Sequence, residues 1–390
     1  MQRADIVNKA YIAKSDRKEI IMKILIGADL VPHTSDVDLF IKGDSLGLLG
    51  EELKAVVDSA DFRIFNLETA LCDEESPIIK AGPNIGSPTA SVNGYKALGV
   101  DLLSISNNHV MDHGRKGFVS TIKTLEEAGI PYTGGGFTKE ESIKPYIFEK
   151  EGIKVGVYAC CEHEFSLIDD YGCGSNGFDP LNSLDHIAEL KAQVDYCIVL
   201  YHGGKEHYRY PSPYLRKVCR RIVDKGADIV LCQHTHCVGT EEDYKGGKIV
   251  YGQGNFLFNL YSQWEPWKTS LAVMVDLTKD GAKVDYIPIE TSGTGTRYSH
   301  NPEILAGFHA RSEEIKQEGF IEESFDKLAS EAVLTYVKGL YGQDVDPIDK
   351  ITEKGTSLIN RIDCEVHSET MLVGIRAVRK LGKYGETKVD

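Results

Sequence analysis

From Met22 onward, short runs rich in Val, Ile and Leu alternate with stretches of helical period, and that alternation restricts the chain to folds built from strand-helix-strand units. Strands are expected at residues 23–28, 62–65, 101–104, 196–201 and 229–232, with amphipathic helices at 46–59, 89–98, 114–128, 181–194 and 213–225. A hairpin is expected from 143–148 and 154–160, turned at Glu151-Gly152. Strands that are apolar throughout belong to a sheet covered on both faces. After residues 248–251 the pattern changes, because alternating runs at 271–277 and 283–289 flank Lys279-Asp280-Gly281, a strong hairpin signal. One sheet made by helical crossovers and one closed by hairpins, packed together with helices outside, accommodates both patterns. The expected fold class is α/β, a four-layer α-β-β-α sandwich.

Composition shifts at Thr291-Ser-Gly-Thr-Gly-Thr296, which reads as a flexible polar linker. Beyond it, 304–317, 321–340, 351–362 and 369–381 are charged and helical in period. The expected organisation is therefore an extension at 1–21, a main domain at 22–295 and a helical appendage at 296–390. The extension is polar and offers neither a signal peptide nor a membrane-spanning helix, so a cytoplasmic location without a membrane anchor is expected. Gly134-Gly-Gly136 reads as a strand-end loop, since no helix opens directly after it.

A net charge of −15 and a pI near 5.3 disfavour nucleic acid and anionic membrane surfaces, which need a basic face to replace counterions. A small anionic substrate stays admissible, because bound metal charge can outweigh the global field locally. The nine cysteines include no C-x-x-C pair, and several lie inside apolar runs, as Cys197 and Cys232 do. They read as buried hydrophobes of a reducing compartment.

Five expected strands each end in a residue able to bind metal: Asp29; Asn66 and Glu68; Asn108 and His109; His202; and His234 with His236. In open α/β sheets, ligands bind beyond the carboxyl ends of strands. Each residue alone has an ordinary use, since Asp29 could cap a helix, Glu68 could pair with a lysine, and His109 or His202 could be a satisfied core histidine. Their recurrence on one sheet edge favours a shared site. Mixed carboxylate, Asn and His donors suit Mn, Zn, Fe or Mg better than a thiolate site does.

With these residues in order, the sequence resembles a known family. Asp29, Asn66-Leu-Glu68, Asn107-Asn108-His109 with Asp112-x-Gly114, His202-Gly-Gly-x-Glu206, Gly226-Ala-Asp228 leading to His234-x-His236, and Tyr251-x-x-Gly254-Asn255-Phe256 together look like the CapA, or poly-γ-glutamate capsule biosynthesis, family within the calcineurin-like metallophosphoesterases. The resemblance runs from about Lys23 to Phe258 and leaves the helical tail outside. It implies a metallophosphoesterase-like sandwich with a site for one or two divalent metals. Asp29 and His236 would hold one metal, Asn108, His202 and His234 the other, and Glu68 would bridge. His109 would move a proton or steady developing charge, with Asp112 orienting it. Where the wider superfamily carries a ligand histidine, this chain has Val31, so the first metal would be weakly bound, completed by Glu206 or His33, or absent. Asn66 and Asn255 are expected as supporting residues, and Lys80, Lys205, Arg209 and Tyr251 as candidates to hold an anionic substrate. Tyr261, Trp264 and Trp267 are expected to pack the tail onto the domain, and His207 to lie at the surface.

The expected function is metal-dependent hydrolysis of a phosphoester, or of an amide or ester in an acidic polymer or peptide. Its competitor is a non-catalytic, accessory metal-binding role in poly-γ-glutamate capsule or envelope assembly. Specificity is expected in loops 79–88, 162–177 and 260–268, with the helical tail as a further candidate, where sequence offers no code for substrate.

Overall fold

The computed structural model describes residues 21–261, 263–341 and 360–385. A first sheet begins with β1 (Met22–Leu30), α1 (Ser45–Asp58), β2 (Phe62–Leu67), α2 (Val92–Ala97), β3 (Leu102–Ser104), α3 (Gly114–Ala128) and β4 (Tyr132–Thr133). A second contains β5 (Tyr146–Lys150), β6 (Ile153–Cys161), α4 (Ser183–Lys191), β7 (Tyr196–His202), α5 (Pro213–Asp224), β8 (Ile229–Gln233), β9 (Glu241–Tyr244) and β10 (Gly247–Val250). The chain then returns to the first sheet with β11 (Asn255–Leu257), β12 (Thr269–Leu277), β13 (Ala282–Thr291) and β14 (Thr296–Tyr298). It continues into α6 (Pro302–Glu314), α7 (Phe320–Tyr341) and α8 (Glu365–Gly385). Of the helix expected at 351–362, only residues 360–362 are described, and the expected extension lies outside the described residues apart from Ile21.

The sheet orders are β14-β13-β12-β1-β2-β3-β4, with β11 also beside β1, and β9-β10-β8-β7-β6-β5. Strands β1, β2 and β3 are mutually parallel, as are β6, β7 and β8, so each sheet gathers its carboxyl strand ends along one edge. Between the sheets lies an apolar layer that includes Ile24, Ile26, Ile64, Val155, Val157, Leu200, Leu231 and Val273. Leu53, Val57, Phe118, Ile122 and Leu125 cover the outside of the first sheet. The four-layer order expected from the alternation is thus the order found.

Helix α5 shows how sequence dictates one of these layers. Ser212 accepts a hydrogen bond from Leu215 N at 3.1 Å and Pro213 occupies the first turn, so the start is capped and pre-set. Leu215, Val218, Cys219, Ile222 and Val223 recur at helical spacing and are all buried on the second sheet. Burial of each such aliphatic side chain contributes roughly 1.5–3 kcal/mol.

Two features tie the sheets together near the strand ends. Gln233 donates to Gly27 O at 3.1 Å, and Gln253 donates to Ile26 O at 3.0 Å, which joins backbone of β1 to the facing layer. Gly27 is required by close approach: a Cβ there would lie 2.2 Å from the Phe65 ring.

The segment expected as a flexible linker is instead the turn of a hairpin. Thr291 pairs with Thr296, Ser292 N donates to Gly295 O at 3.2 Å, and Gly293 and Gly295 both sit at φ 85. Left-handed backbone at two glycines makes a tight turn from a polar sequence that reads as slack. β14 therefore belongs to the first sheet. The tail is also closely docked, since Ile321 of α7 lies in the outer core of the second sheet, and Tyr214 N on α5 donates to Glu369 of α8 at 2.9 Å.

Candidate metal centre

Because the central strands of both sheets are parallel, their carboxyl ends converge. The first sheet brings Asp29, Asn66, Glu68 and the 107–109 segment; the second brings His202, His234 and His236. His202 Nε2 lies 3.0 Å from Asn108 Oδ1 and 3.3 Å from Glu68 Oε1. Two donors bound to one ion at about 2.0–2.2 Å stand roughly 3 Å apart, so these separations suit a common ion. Glu68 belongs to two clusters whose donor atoms lie within 4.8 Å of one another, one with His202 and His234, the other with Asp29 and His236.

Burial sets the electrostatics. All six of Asp29, Glu68, Asn108, His202, His234 and His236 are buried. Desolvation lowers the imidazoles of His202 and His234 to about 4 and of His236 to about 3, which leaves them neutral and able to donate a lone pair. Burial pushes the Asp29 and Glu68 carboxyls well above the usual carboxylate range, with Glu68 adding to the shift at Asp29. Asp29 Oδ2, both Glu68 oxygens and His234 Nδ1 have no hydrogen-bond partner. Buried polar atoms in native proteins are nearly always paired, so this orphaned set fits divalent cations. His234 and His236 hold left-handed backbone at φ 91 and 52, a strain that concentrates at functional sites.

Amides fix the donors in place. Asn66 Nδ2 donates to Asp29 Oδ1 at 2.8 Å and faces His202 Nδ1 at 3.2 Å, linking the two sheets. Asn107 Nδ2 donates to Asn66 Oδ1 at 3.1 Å, and His236 Nδ1 meets Asn255 Oδ1 at 2.8 Å. Asn66 and Asn255 thus touch the residues they were expected to support.

Beside the donors lies a second group. His109 Nδ1 meets Asp112 Oδ2 at 2.6 Å, and Ile85 N donates to the same oxygen at 2.6 Å. Burial would raise the Asp112 carboxyl, but His109 and Lys80 outweigh it and hold Asp112 below its ordinary value. Lys80, expected from sequence to be a candidate for holding substrate, is not available for it, because its ammonium is committed to Asp112 and stands 3.2 Å from His109 Nδ1.

Other candidates also change place. Arg209 spends its guanidinium on Glu265 at 2.7 Å and Val238 O at 3.0 Å. Tyr251 is buried in the outer core with its hydroxyl on Glu242 at 2.8 Å. Lys205 is half-buried on the loop beyond β7, where its charge helps lower neighbouring Glu206. Glu206 clusters with His234 and His236 within 4.8 Å, so of the two residues considered to complete the first metal it is the one in reach. His33 is turned to the Thr34 hydroxyl at 2.9 Å. His207 accepts from Trp267 Nε1 at 2.8 Å, and Trp267 stacks on His236 with ring centroids 4.4 Å apart. The aromatic loop therefore walls the centre instead of gluing the tail to the domain.

Three residues at the centre escaped the sequence reading. Glu164 accepts from Asn108 Nδ2 at 2.9 Å and from Asn360 Nδ2 at 3.1 Å, and lies 3.3 Å from His367 Nε2. Glu164 follows the end of β6, so the strand-end rule applied once more would have found it. Asn360 and His367 come from the tail, some two hundred residues away, and carry no local signal.

Residues 47–260, more than half of the chain, match the family described as bacterial capsule synthesis protein PGA_cap. The chain belongs to that family. Among its PGA_cap relatives, the capsule biosynthesis protein CapA of Bacillus anthracis is 28% identical over 242 residues, covering 59% of this chain and 58% of that protein. The PGA biosynthesis protein CapA of Bacillus subtilis is 27% identical over 209 residues, covering 51% and 53% respectively. The matched region thus spans little more than half the length of these relatives. Among solved structures, one described as a novel phosphatase from Mycoplasma pneumoniae aligns over 77% of this PGA_cap chain and 99% of its own, at 12% identity and a TM-score of 0.46.

Proposed function

We propose that this chain is a metal-dependent hydrolase whose substrate carries negative charge at or near the bond cleaved, a phosphoester or an amide or ester of an acidic peptide or polymer. The observation that carries this reading is the set of orphaned atoms on Asp29, Glu68 and His234, collected where both sheets end. Asp29, Glu68, Glu206 and His236 would hold one ion, and Glu68, Asn108, His202 and His234 a second, with Mn, Zn, Fe or Mg all compatible with the oxygen and imidazole donors. Such ions, when bound, supply Lewis acidity and an activated water.

The chain's own residues do the rest. Asp112 holds Nδ1 of His109, which leaves Nε2 as the nitrogen free to give or take a proton at the leaving group. Lys80 and Ile85 N keep Asp112 ionised and fixed, so that the ring cannot swing. Trp267, stacked on His236, would cover one side of the centre. Among the described residues no helix is long and apolar enough to cross a membrane. All nine cysteines are free and all but Cys72 are buried, which supports a reducing, cytoplasmic setting.

Metal content of the purified protein, followed by turnover of p-nitrophenyl phosphate, bis(p-nitrophenyl) phosphate and γ-glutamyl-p-nitroanilide with each metal supplied, tests the reading. Metal-dependent turnover of at least one substrate, lost in Asp29→Ala and His234→Ala together with metal, is the expected result. Metal retained by both variants would overturn the ligand assignment. Metal bound without turnover of any substrate would favour the accessory role in capsule or envelope assembly.

A further inference from the structure

A cavity of about 330 Å³ opens above Asn108 and His109, and its far wall comes from the helical tail through Tyr336, Asn360, Arg361 and His367. The wall is anchored to the centre. His367 meets the Tyr336 hydroxyl through Nδ1 at 2.7 Å and Glu164 through Nε2 at 3.3 Å, while Asn360, next to Arg361, donates to Glu164 at 3.1 Å. Since Glu164 also receives Asn108 Nδ2, a continuous chain of polar contacts sets the position of Arg361 relative to the metal donors.

Arg361 itself is uncommitted. Its guanidinium lies 5.9 Å from the centre of the Tyr336 ring, and among the described residues it pairs with no carboxylate or carbonyl. Of the two acids that line the cavity, Glu164 is already occupied by Asn108, Asn360 and His367 and Glu206 clusters with His234 and His236, while the other cation, Lys80, is tied to Asp112. A guanidinium offers a planar fork of donors matched to oxyanions, and an aromatic face beneath it limits its motion. Arg361 also lies outside the matched stretch 47–260, so this wall is a feature of the chain beyond the region that defines the family.

We propose that Arg361 recognises a second anionic group on the substrate, a carboxylate or a phosphate, separated from the bond being cleaved. This rests on the hydrolase reading above and narrows it. The substrate class is then a small doubly anionic molecule, or the end of an acidic chain, because about 330 Å³ is near the lower limit for ligand sites and the tail closes the cavity on that side. Arg361 acts on recognition and touches neither the proposed metal donors nor the His109 pair.

The test uses full-length, metal-loaded protein and titration calorimetry with two matched pairs of probes: glutarate against butyrate, and propane-1,3-diyl bisphosphate against propyl phosphate. Wild type is expected to bind the doubly anionic member of one pair about tenfold or more tightly than its partner, and the pair that shows the preference identifies the anion. Arg361→Gln should reduce that preference to within about twofold, and Arg361→Lys should retain part of it, with metal content and melting temperature unchanged in both. A preference that survives in Arg361→Gln, or no preference by wild type in either pair, overturns the proposal. If the protein holds no metal, the hydrolase reading fails, and the same titrations on the metal-free protein still decide the role of Arg361.

Discussion

Glu68→Gln should change melting temperature in opposite directions depending on whether metal is present. In the metal-free protein, at a pH high enough to ionise it, Glu68 is a buried carboxylate without a hydrogen-bond partner beside the like charge of Asp29, so it opposes folding. An amide has the same shape and no charge. Relief of one such buried, unsatisfied group is worth about 1–3 kcal/mol. With an unfolding entropy of about 2.1 cal/mol/K per residue over a chain of 390, that corresponds to a rise of about 1–4 °C. Metal at a hundredfold excess over its Kd stabilises the wild type by about 2.7 kcal/mol, or roughly 3 °C on the same scale. The variant, lacking the carboxylate shared by both clusters, should show less than half of that gain. Scanning calorimetry of both proteins, in chelator and in saturating metal, makes the comparison. If Glu68→Gln lowers the melting temperature equally in both buffers, Glu68 is an ordinary structural residue and the case for a metal centre collapses.

Protons released on metal binding should come from the carboxylates and not from the imidazoles. Asp29 and Glu68 have raised folded-state values, so their contribution to stability is complete below about pH 4 and fades as pH rises; His202, His234 and His236 have depressed values, so theirs is present above about pH 6.5 and fades as pH falls toward 4. Calorimetry in two buffers of different ionisation enthalpy counts the protons, and a release that persists unchanged when Asp29 and Glu68 are both replaced by their amides would refute the assignment. His109→Gln and Asp112→Asn should each lower kcat by about 10²–10⁴-fold while metal content stays at the wild-type level by elemental analysis. Gly27→Ala should destabilise by about 1–3 kcal/mol in denaturant unfolding, because the new methyl would meet the Phe65 ring at 2.2 Å.

Much of the centre could be read from sequence because its donors obey a local rule: each follows the end of a run with strand character. Asp29, Glu68, Asn108, His202 and His234 are singled out in this way, and the structure brings them together where the two sheets end. The reading weakened where a side chain's partner is set by tertiary packing. Lys80 reads like a free cation until the loop at 78–85 folds over Asp112, and Arg209 until Glu265 arrives from another loop. Thr291–Thr296 looks slack by composition because glycine serves both linkers and tight turns. Glu164 could have been found, since it follows β6 as His202 follows β7. The arrival of Asn360, Arg361 and His367 at the cavity could not, because helix docking across some two hundred residues leaves no mark in local periodicity.

The glutamine and asparagine bridges between the sheets bear on how quickly the proposed ions could enter the centre. Gln233 and Gln253 hold β1 against the facing layer, and Asn66 spans from Asp29 to His202, all without any metal. The two halves of the donor set are therefore kept in register by protein alone. Loading should then be limited by shedding of water from the incoming cation and by its passage through the cavity, with no slow refolding phase. Substitution of Gln233 by alanine should convert a single fast loading step into one that waits on sliding of the sheets.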